Sequence, residues 1–378
     1  MPTILFVMKY PLHRQKNLKT KFDGQLAAAR ALGWDAYCIG WDAHGMALLG
    51  QNGAIPLCRN VMARWKGYDH TKIFIDLMAA VRKAMRHIHV DVLYLRYMPT
   101  FPGALRTVRQ LKAQGGRLVL EYPTYPPEAE NNRFFLRRQV FRLSDKVLAK
   151  IHPLVDLYTL IGEPCGGTLR GRPAMNIVNG VNVNAFPAHT PNVQDSSVRL
   201  LALASMSGWH GYDRLLRSLA AYDGETPVAI EFAGGDGDGS LATWKALAQL
   251  LGLTDRVTFH GPLYGETLNT LVARCDVGVG SLGMYRYGLA QGMTLKLREY
   301  LARGLPFVSA VDDPALPADA DFALRVPNDD TPIDMNAIVA FAQKAKSDAE
   351  LSARMRAYAQ ANLSWEGVLR GVLERVSP

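Results

Sequence analysis

The sequence has only four cysteines, Cys38, Cys58, Cys165 and Cys275, and no two of them form a CxxC pair. That spacing suits neither a disulfide framework nor a zinc site, so the thiols are expected to be reduced and structural. No apolar run approaches the about 18 residues that cross a bilayer, and Ile4 to Met8 is too short for the core of a signal peptide. A cytoplasmic location is the expectation. Low-complexity tracts, internal repeats, a Walker lysine motif, a helix-turn-helix and aromatic-basic interleaving are all missing, which removes repeat architectures and argues against a nucleic-acid-binding protein. Aromatic residues stand at 9% and charged residues at 20%, yet hydrophobic residues make up 48%, enough to bury a core and to exclude disorder, collagen-like repeat and coiled coil.

At 378 residues the chain is too long for one comfortable core and close to the size of two domains. Charge is shared unequally between its halves. Residues 1–190 hold 26 Lys and Arg against 12 Asp and Glu, a net +14, whereas residues 191–378 hold 17 against 22, a net −5. A strongly basic half fits nucleic acid, an anionic membrane surface or a phosphate-bearing substrate, and charge alone does not choose among them.

Short apolar runs alternate with helical stretches. In the first half, strands are expected over 3–8, 35–40, 90–96 and 117–121, with helices over 22–32 and 103–113. The alternation restarts after residue 190, with strands over 198–204, 228–233, 257–260, 276–280 and 307–309 and helices between them. Each half therefore reads as a doubly wound parallel sheet covered on both faces. Phe186 to Ser197 has the composition of a linker. The expected organisation is an N-terminal doubly wound domain (1–188), a C-terminal doubly wound domain (189–358) and a last segment (359–378), with a kinked final helix near Asn362 to Trp365. A ligand is expected between the lobes, at the carboxyl ends of the strands.

Arg274 to Ala310 is the most informative stretch. A strand opens into a glycine-containing loop ending at Gly292-Met293-Thr294, and a helix carrying Lys296 and Glu299 follows. The first N–H groups of a helix lack intrahelical partners and carry partial positive charge, so Met293, Thr294 and Leu295 are candidate backbone donors to a diphosphate. Thr294 is a candidate cap, and Lys296 would add a full positive charge beside the same anion. Glu299 lies within reach of ribose hydroxyls; the competing reading is a surface i,i+3 pair of Lys296 with Glu299. Two more turns follow strands. In Gly208 to Leu216 (GWHGYDRLL) the glycines permit close approach and Asp213 is a candidate cap, although a bare strand–helix turn needs the same residues. Phe232 to Gly239 (FAGGDGDG) has Ser240 where GxGxxG requires its last glycine.

Taken in order, WHGYDRLL, EFAGGDGDG, DRVTFHGPL and KLREYLARGLPFV resemble the donor-binding lobe of family-4 glycosyltransferases of the GT-B fold, and Val178-Asn179-Gly180-Val181 is similar to the NGV segment that leads into it. The resemblance covers residues 175–310 well. In the first half Glu121 to Pro126 (EYPTYP) resembles a segment of transferases of bacterial capsule and exopolysaccharide assembly. Ser364-Trp365-Glu366 resembles the family's last segment, whose helix crosses back onto the first lobe. The resemblance implies an α/β protein with two Rossmann-like domains facing across a cleft. It also implies retaining transfer of a hexosyl group from a UDP- or GDP-sugar to a glycan or polyprenyl-diphosphate-linked glycan, the leaving phosphate accepting the acceptor's proton.

By matching positions, the resemblance gives Glu299 the nucleotide ribose, the amides of Met293 to Leu295 beside Gly292 the distal phosphate, and Lys296 the diphosphate. The loop Gly261 to Tyr264, with Leu263, would border the base, and His210, Gly211 and Gly234 complete the donor set. This chain departs from the pattern at three places: Gln291 stands where E-x7-E has its first glutamate, His210 where a lysine is usual, and Glu121 where a histidine often faces the sugar. Diphosphate charge would then rest on Lys296, with Arg286. Gln291 keeps a hydrogen-bonding amide, and Glu121 is a candidate for contact with the sugar or acceptor, or else caps or pairs locally. Glu121, Lys296 and Gln291 are thus the catalytic candidates. No permanently bound cofactor is implied, and the need for a divalent cation stays open because no DxD-like acidic pair is evident at the crevice.

Acceptor candidates are Lys9, Tyr10, Lys16, Asn17, Arg96 and Tyr122; Lys19 and Lys21 follow the same first strand and would meet an acceptor diphosphate or form a solvated loop. Asn131 to Lys150 alternates arginines with Phe134, Phe135 and Phe141, either a basic amphipathic helix for an anionic membrane or a core-facing helix with a solvated face. With the net +14, this makes a peripheral position on the inner face of the cytoplasmic membrane the expectation. His87, His89 and Asp91 read as surface residues, so no protein-bound metal is expected. The rival readings are a catalytically weakened sugar-nucleotide-binding subunit, since Gln291 and His210 remove charge, and a GT-B nucleotide-sugar epimerase.

Overall fold

The structure is a computed structural model and describes residues 1–11, 17–42, 44–59, 72–125 and 144–377. These form two compact units: Met1–Gly180 with Trp365–Pro378, and Val181–Ser364. The chain enters the second unit at Gly180/Val181 and leaves it at Ser364/Trp365, where the sequence suggests 188/189 and 358/359.

The first unit runs β1 (Thr3–Pro11), α1 (Asn17–Ala31), β2 (Asp35–Trp41), β3 (Gly45–Gly50), β4 (Gly53–Arg59), α2 (Ile73–Ala84), β5 (Val92–Arg96), α3 (Pro102–Ala113), β6 (Arg117–Tyr125), a helix described over 144–151 (α4), β7 (Leu157–Gly162), β8 (Thr168–Leu169) and β9 (Arg172–Asn176). Its sheet has the order β4-β3-β2-β1-β5-β6-β7-β9-β8. Ile4, Leu5, Phe6 and Val7 of β1 are all fully buried, so both faces of this central strand are covered, and its unbroken apolar run follows from that. The sheet is not wholly parallel as expected. β3 and β4 are antiparallel to their neighbours, and β8 is antiparallel to β9. The reason is connection length: Gln51 and Asn52, the two residues between β3 and β4, can join only a hairpin.

The second unit runs β10 (Val198–Leu203), α5 (Tyr212–Ala220), β11 (Val228–Ala233), α6 (Ser240–Leu250), β12 (Val257–Gly261), α7 (Gly265–Val272), β13 (Val277–Val279), α8 (Leu295–Arg303), β14 (Phe307–Ser309), β15 (Ala323–Arg325), α9 (Met335–Ser347) and α10 (Leu351–Asn362). Its described strands are all parallel, in the order β12-β11-β10-β13-β14-β15. Strand order therefore reverses between β10 and β13, the place where open α/β sheets take ligands.

The final helix, α11 (Trp365–Val376), is a separate element, not the second half of a kinked one. It packs on α1 within the first unit. Trp365 seats its indole against two glycines: a Cβ at Gly24 would lie 2.5 Å, and one at Gly180 2.7 Å, from the ring.

Candidate functional site

At the switch point of the second unit the turns after β10 and β13 are pressed together. The Leu282 N–H donates to the His210 carbonyl at 2.8 Å, and the backbones at Gly211 and Gly283 touch. Gly211 has φ +64°, and a Cβ there would lie 2.5 Å from the Gly283 nitrogen. Gly234 has φ +140°, and its Cβ would lie 1.6 Å from the Ala204 carbonyl oxygen, so it is required by the approach of the β10 and β11 ends. Gly239 has φ +93° with open space around it. Gly239→Ala is expected to cost about 1–2 kcal/mol for the left-handed backbone alone, and Gly211→Ala about 2–5 kcal/mol because overpacking is added. Urea unfolding of the two variants checks the ranking.

α8 begins at Leu295 behind Thr294, whose backbone is extended (φ −81°, ψ 144°). Thr294 does not cap the helix with its side chain. Its Oγ1 is buried without a partner, as is the Oγ of the fully buried Ser281 that follows β13. In the first turn of the helix, Lys296 is 7% exposed. Its Nζ donates to the Tyr212 hydroxyl at 2.9 Å and lies 3.5 Å from the Gly280 carbonyl oxygen and 5.2 Å from the Tyr212 ring centre. Burial holds this amine well below its ordinary range, and no anion among the described residues opposes the effect. His210 is also buried. Its Nδ1 lies 3.1 Å from both the amide nitrogen and the carbonyl oxygen of Ser207, and its ring stacks on Tyr212 at 5.4 Å and against Trp209 at 4.3 Å. Burial first, and Lys296 second, push the imidazole well below its usual range. Lys296, Tyr212 and His210 thus form one buried cluster beneath the start of α8, in which burial favours the neutral form of each group.

The surface pair of Lys296 with Glu299 does not form. Glu299 accepts from Arg303, at 2.9 Å from Nε and 2.8 Å from Nη2; burial raises its carboxyl and Arg303 partly offsets that. Arg286, expected beside the diphosphate, makes a two-pronged bond to Asp213 at 2.8 and 2.9 Å, and Asp213 is therefore a salt-bridge partner while Gly211 stands at the N-cap of α5. Gln291 is exposed and forms a backbone bridge with Asp312, and the Gly292 N–H is taken by the Asp312 carbonyl at 2.8 Å. Met293, Thr294 and Leu295 are half-buried, as is Leu263, while Tyr264 is 44% exposed at the N-cap of α7.

In the first unit the structure gathers a buried network around Glu121, the middle residue of β6, and the neighbouring strand β5. Glu121 accepts from the Tyr94 hydroxyl at 2.6 Å and from Lys21 Nζ at 3.1 Å, and Arg96 Nη1 stands 3.9 Å away. Lys21 also donates to Asn179 Oδ1 at 3.1 Å and lies 5.5 Å from the Trp365 ring centre. Burial lowers the Lys21 amine to about 8. Burial pushes the Glu121 carboxyl up, but Lys21, Arg96 and the hydrogen bonds from Tyr94 and Lys21 outweigh it and leave it below its ordinary value. Lys21 is neither a loop residue nor solvated: it sits on α1 and reaches inward. Its pairing with Glu121, separated by 100 residues, was missed by sequence reasoning, as were Tyr94, Tyr212 and Ser281. The signal available for Lys21 is its place, with Phe22, Gln25 and Ala29, on the buried side of α1.

Among the other acceptor candidates, Tyr10 is buried with its hydroxyl donating to Asp23 at 2.6 Å. Tyr122 is buried and stacked on Tyr97 at 4.8 Å, so both tyrosines are spent on packing. Lys9 is half-buried at the end of β1, and Asn17 opens α1. Lys16 and residues 131–143 of the amphipathic segment lie outside the described residues. Cys38 and Cys275 are free, buried and pushed up by burial to about 12, which removes them as thiolate nucleophiles near neutral pH. A cavity of about 400 Å³ lined by Asp195, Glu225, Thr226 and Ser347 lies at the amino ends of β10 and β11, the opposite end from the switch point. No described helix is long and apolar enough to cross a membrane, and among the described residues no group of three or more His, Cys, Asp or Glu could hold a metal ion.

Residues 197–343 match the family Glycosyl transferases group 1, so the second unit carries a domain of that kind. Among solved structures, sucrose-phosphate synthase from Thermosynechococcus elongatus is similar with a TM-score of 0.70 at 15% identity, covering 99% of this chain and 98% of its own. Anabaena HepE in complex with UDP gives 0.61 at 14%, covering 100% of both chains. WaaG, a glycosyltransferase involved in lipopolysaccharide biosynthesis, gives 0.61 at 15%, covering 99% of both. No curated protein matches the sequence. The fold is the GT-B fold, two Rossmann-like domains.

Proposed function

We propose that the chain is a retaining glycosyltransferase that moves a hexosyl group from a UDP- or GDP-sugar to a glycan or polyprenyl-diphosphate-linked glycan in cell-surface polysaccharide synthesis. The observation that carries the reading is the set of unmet polar groups at the switch point: an amine without an anion on Lys296, and the partnerless hydroxyls of Thr294 and Ser281, beside the N-terminus of α8. A diphosphate is the ligand that answers a buried amine and helix-start amides together. The second-unit family match and the UDP complexes of HepE support the donor class.

Catalysis then rests on stabilising the departing nucleoside diphosphate, whose charge grows in the transition state, by groups fixed before the reaction. Lys296 and the amides of Met293 to Leu295 supply that stabilisation, and Glu299, braced by Arg303, meets the ribose. Gln291 offers its exposed amide to the sugar. Glu121, held ionised by Lys21 and Arg96, presents a fixed carboxylate to the sugar or acceptor. The leaving phosphate accepts the acceptor's proton. The basic first unit associates with an anionic membrane surface that carries the lipid-linked acceptor.

Thermal-shift titration with UDP, GDP and their sugars tests the donor site, with stabilisation growing as the logarithm of ligand excess. Transfer assays with the same donors, read by the anomeric proton of the product, test the reaction. Binding without transfer or donor hydrolysis favours a sugar-nucleotide-binding subunit, and recovery of an isomerised donor favours an epimerase.

A further inference from the structure

Resting on this nucleotide-sugar reading, we infer that the second unit binds its nucleotide sugar together with a proton drawn from solvent, and that Lys296 receives it. Among the described residues the Lys296 amine meets a phenol and a carbonyl, both neutral. The elements packed around it bring no carboxylate to it. α5 brings Tyr212, and the Asp213 of its first turn is spent on Arg286. The turn Gly208–His210 brings His210, whose nitrogen faces Ser207. The loop after β13 brings the Gly280 carbonyl and Ser281. On α8 itself Glu299 pairs with Arg303, Arg298 with Asp313 at 2.7 Å, and Tyr300 bonds backbone groups of β10 and β13.

A buried ammonium with no counter-charge is costly, and the group escapes the cost by losing its proton. Burial accordingly depresses both Lys296 and His210, and it raises the Tyr212 and Tyr300 phenols, so it favours the neutral form of each group. An arriving diphosphate supplies the missing anion and restores the amine's hold on a proton. Below the free-state value the amine is already charged and nothing is taken up. Between the free and bound values one proton accompanies each ligand, and affinity falls about tenfold per pH unit as pH rises. The site is thereby a pH-sensitive device that weakens on alkalinisation.

Calorimetry of the whole chain with UDP-glucose and GDP-mannose, whose diphosphates do not titrate near neutral pH, reads this directly. At about pH 7.5, in PIPES and in Tris, the heats for the bound donor are expected to differ by about one buffer ionisation per ligand. The difference persists in His210→Gln and vanishes in Lys296→Arg, which is always charged. Heats independent of buffer in the wild-type protein overturn the inference. So does a buffer difference lost in His210→Gln and kept in Lys296→Met, because the proton would then reside on the imidazole. If neither donor produces binding heat, the donor reading itself falls, an outcome distinct from binding without a proton.

Discussion

Glu121→Ala is expected to lower the unfolding free energy by about 3–5 kcal/mol, the range for breaking a buried ion pair by deleting one partner. Lys21 would keep Asn179 and the Trp365 face but lose its carboxylate, and the Tyr94 hydroxyl would lose its 2.6 Å acceptor. Replacing both charges, with Lys21→Met and Glu121→Leu in one chain, should recover part of that loss, because neither charge of the pair is left without its counter-charge, although the Tyr94 hydroxyl still loses its carboxylate acceptor and Asn179 Oδ1 its Lys21 donor. Urea unfolding of the two variants measures it. A change below about 1 kcal/mol in Glu121→Ala would mean that the network is hydrated rather than buried. Nucleotide binding, whose proposed groups all lie in the second unit, should be unaltered in folded Glu121→Ala while transfer is lost.

Lys296→Met is expected to behave in the opposite sense. Without nucleotide the variant should be as stable as the wild type or more so, since a desolvated amine bonded to a phenol and, at 3.5 Å, to one carbonyl gives way to an apolar chain of similar volume. UDP or GDP affinity should fall about 10- to 100-fold, corresponding to the about 1.5–3 kcal/mol of a hydrogen bond to a charged group. Thermal melts and nucleotide titrations on one preparation give both numbers. Unchanged affinity for both nucleotides would remove Lys296 from the diphosphate, and a large loss of stability would make it a structural residue. Because the two readouts move apart, the variant separates a binding role from a folding role, which an activity assay alone would not do.

Much of the scaffold is written in local patterns. The alternation of short apolar runs with amphipathic stretches identifies two doubly wound sheets, since a strand covered on both faces must be apolar throughout, as β1 is. Glycine punctuation likewise marks the turns at Gly208–His210 and after β13. The β3–β4 hairpin and the separate α11 were less legible. Their placement depends on which edge and which helix lie nearby, and no period reports that.

The site divides along the same line. Sequence alone determined that a helix opens near residue 294 behind a glycine-containing loop, that Lys296 and Glu299 ride on it, and that Glu121 belongs to an apolar strand, which the structure extends past the expected end at 121 to Tyr125. Only the tertiary structure decided the pairings: Lys296 with Tyr212, Glu299 with Arg303, Arg286 with Asp213, and Lys21 with Glu121. Three of these four join residues 73 to 100 positions apart. Backbone propensity and hydrophobic period act over a few residues, whereas the protonation state of a lysine depends on what the folded chain brings within a few ångströms of its amine and on whether water can still reach it.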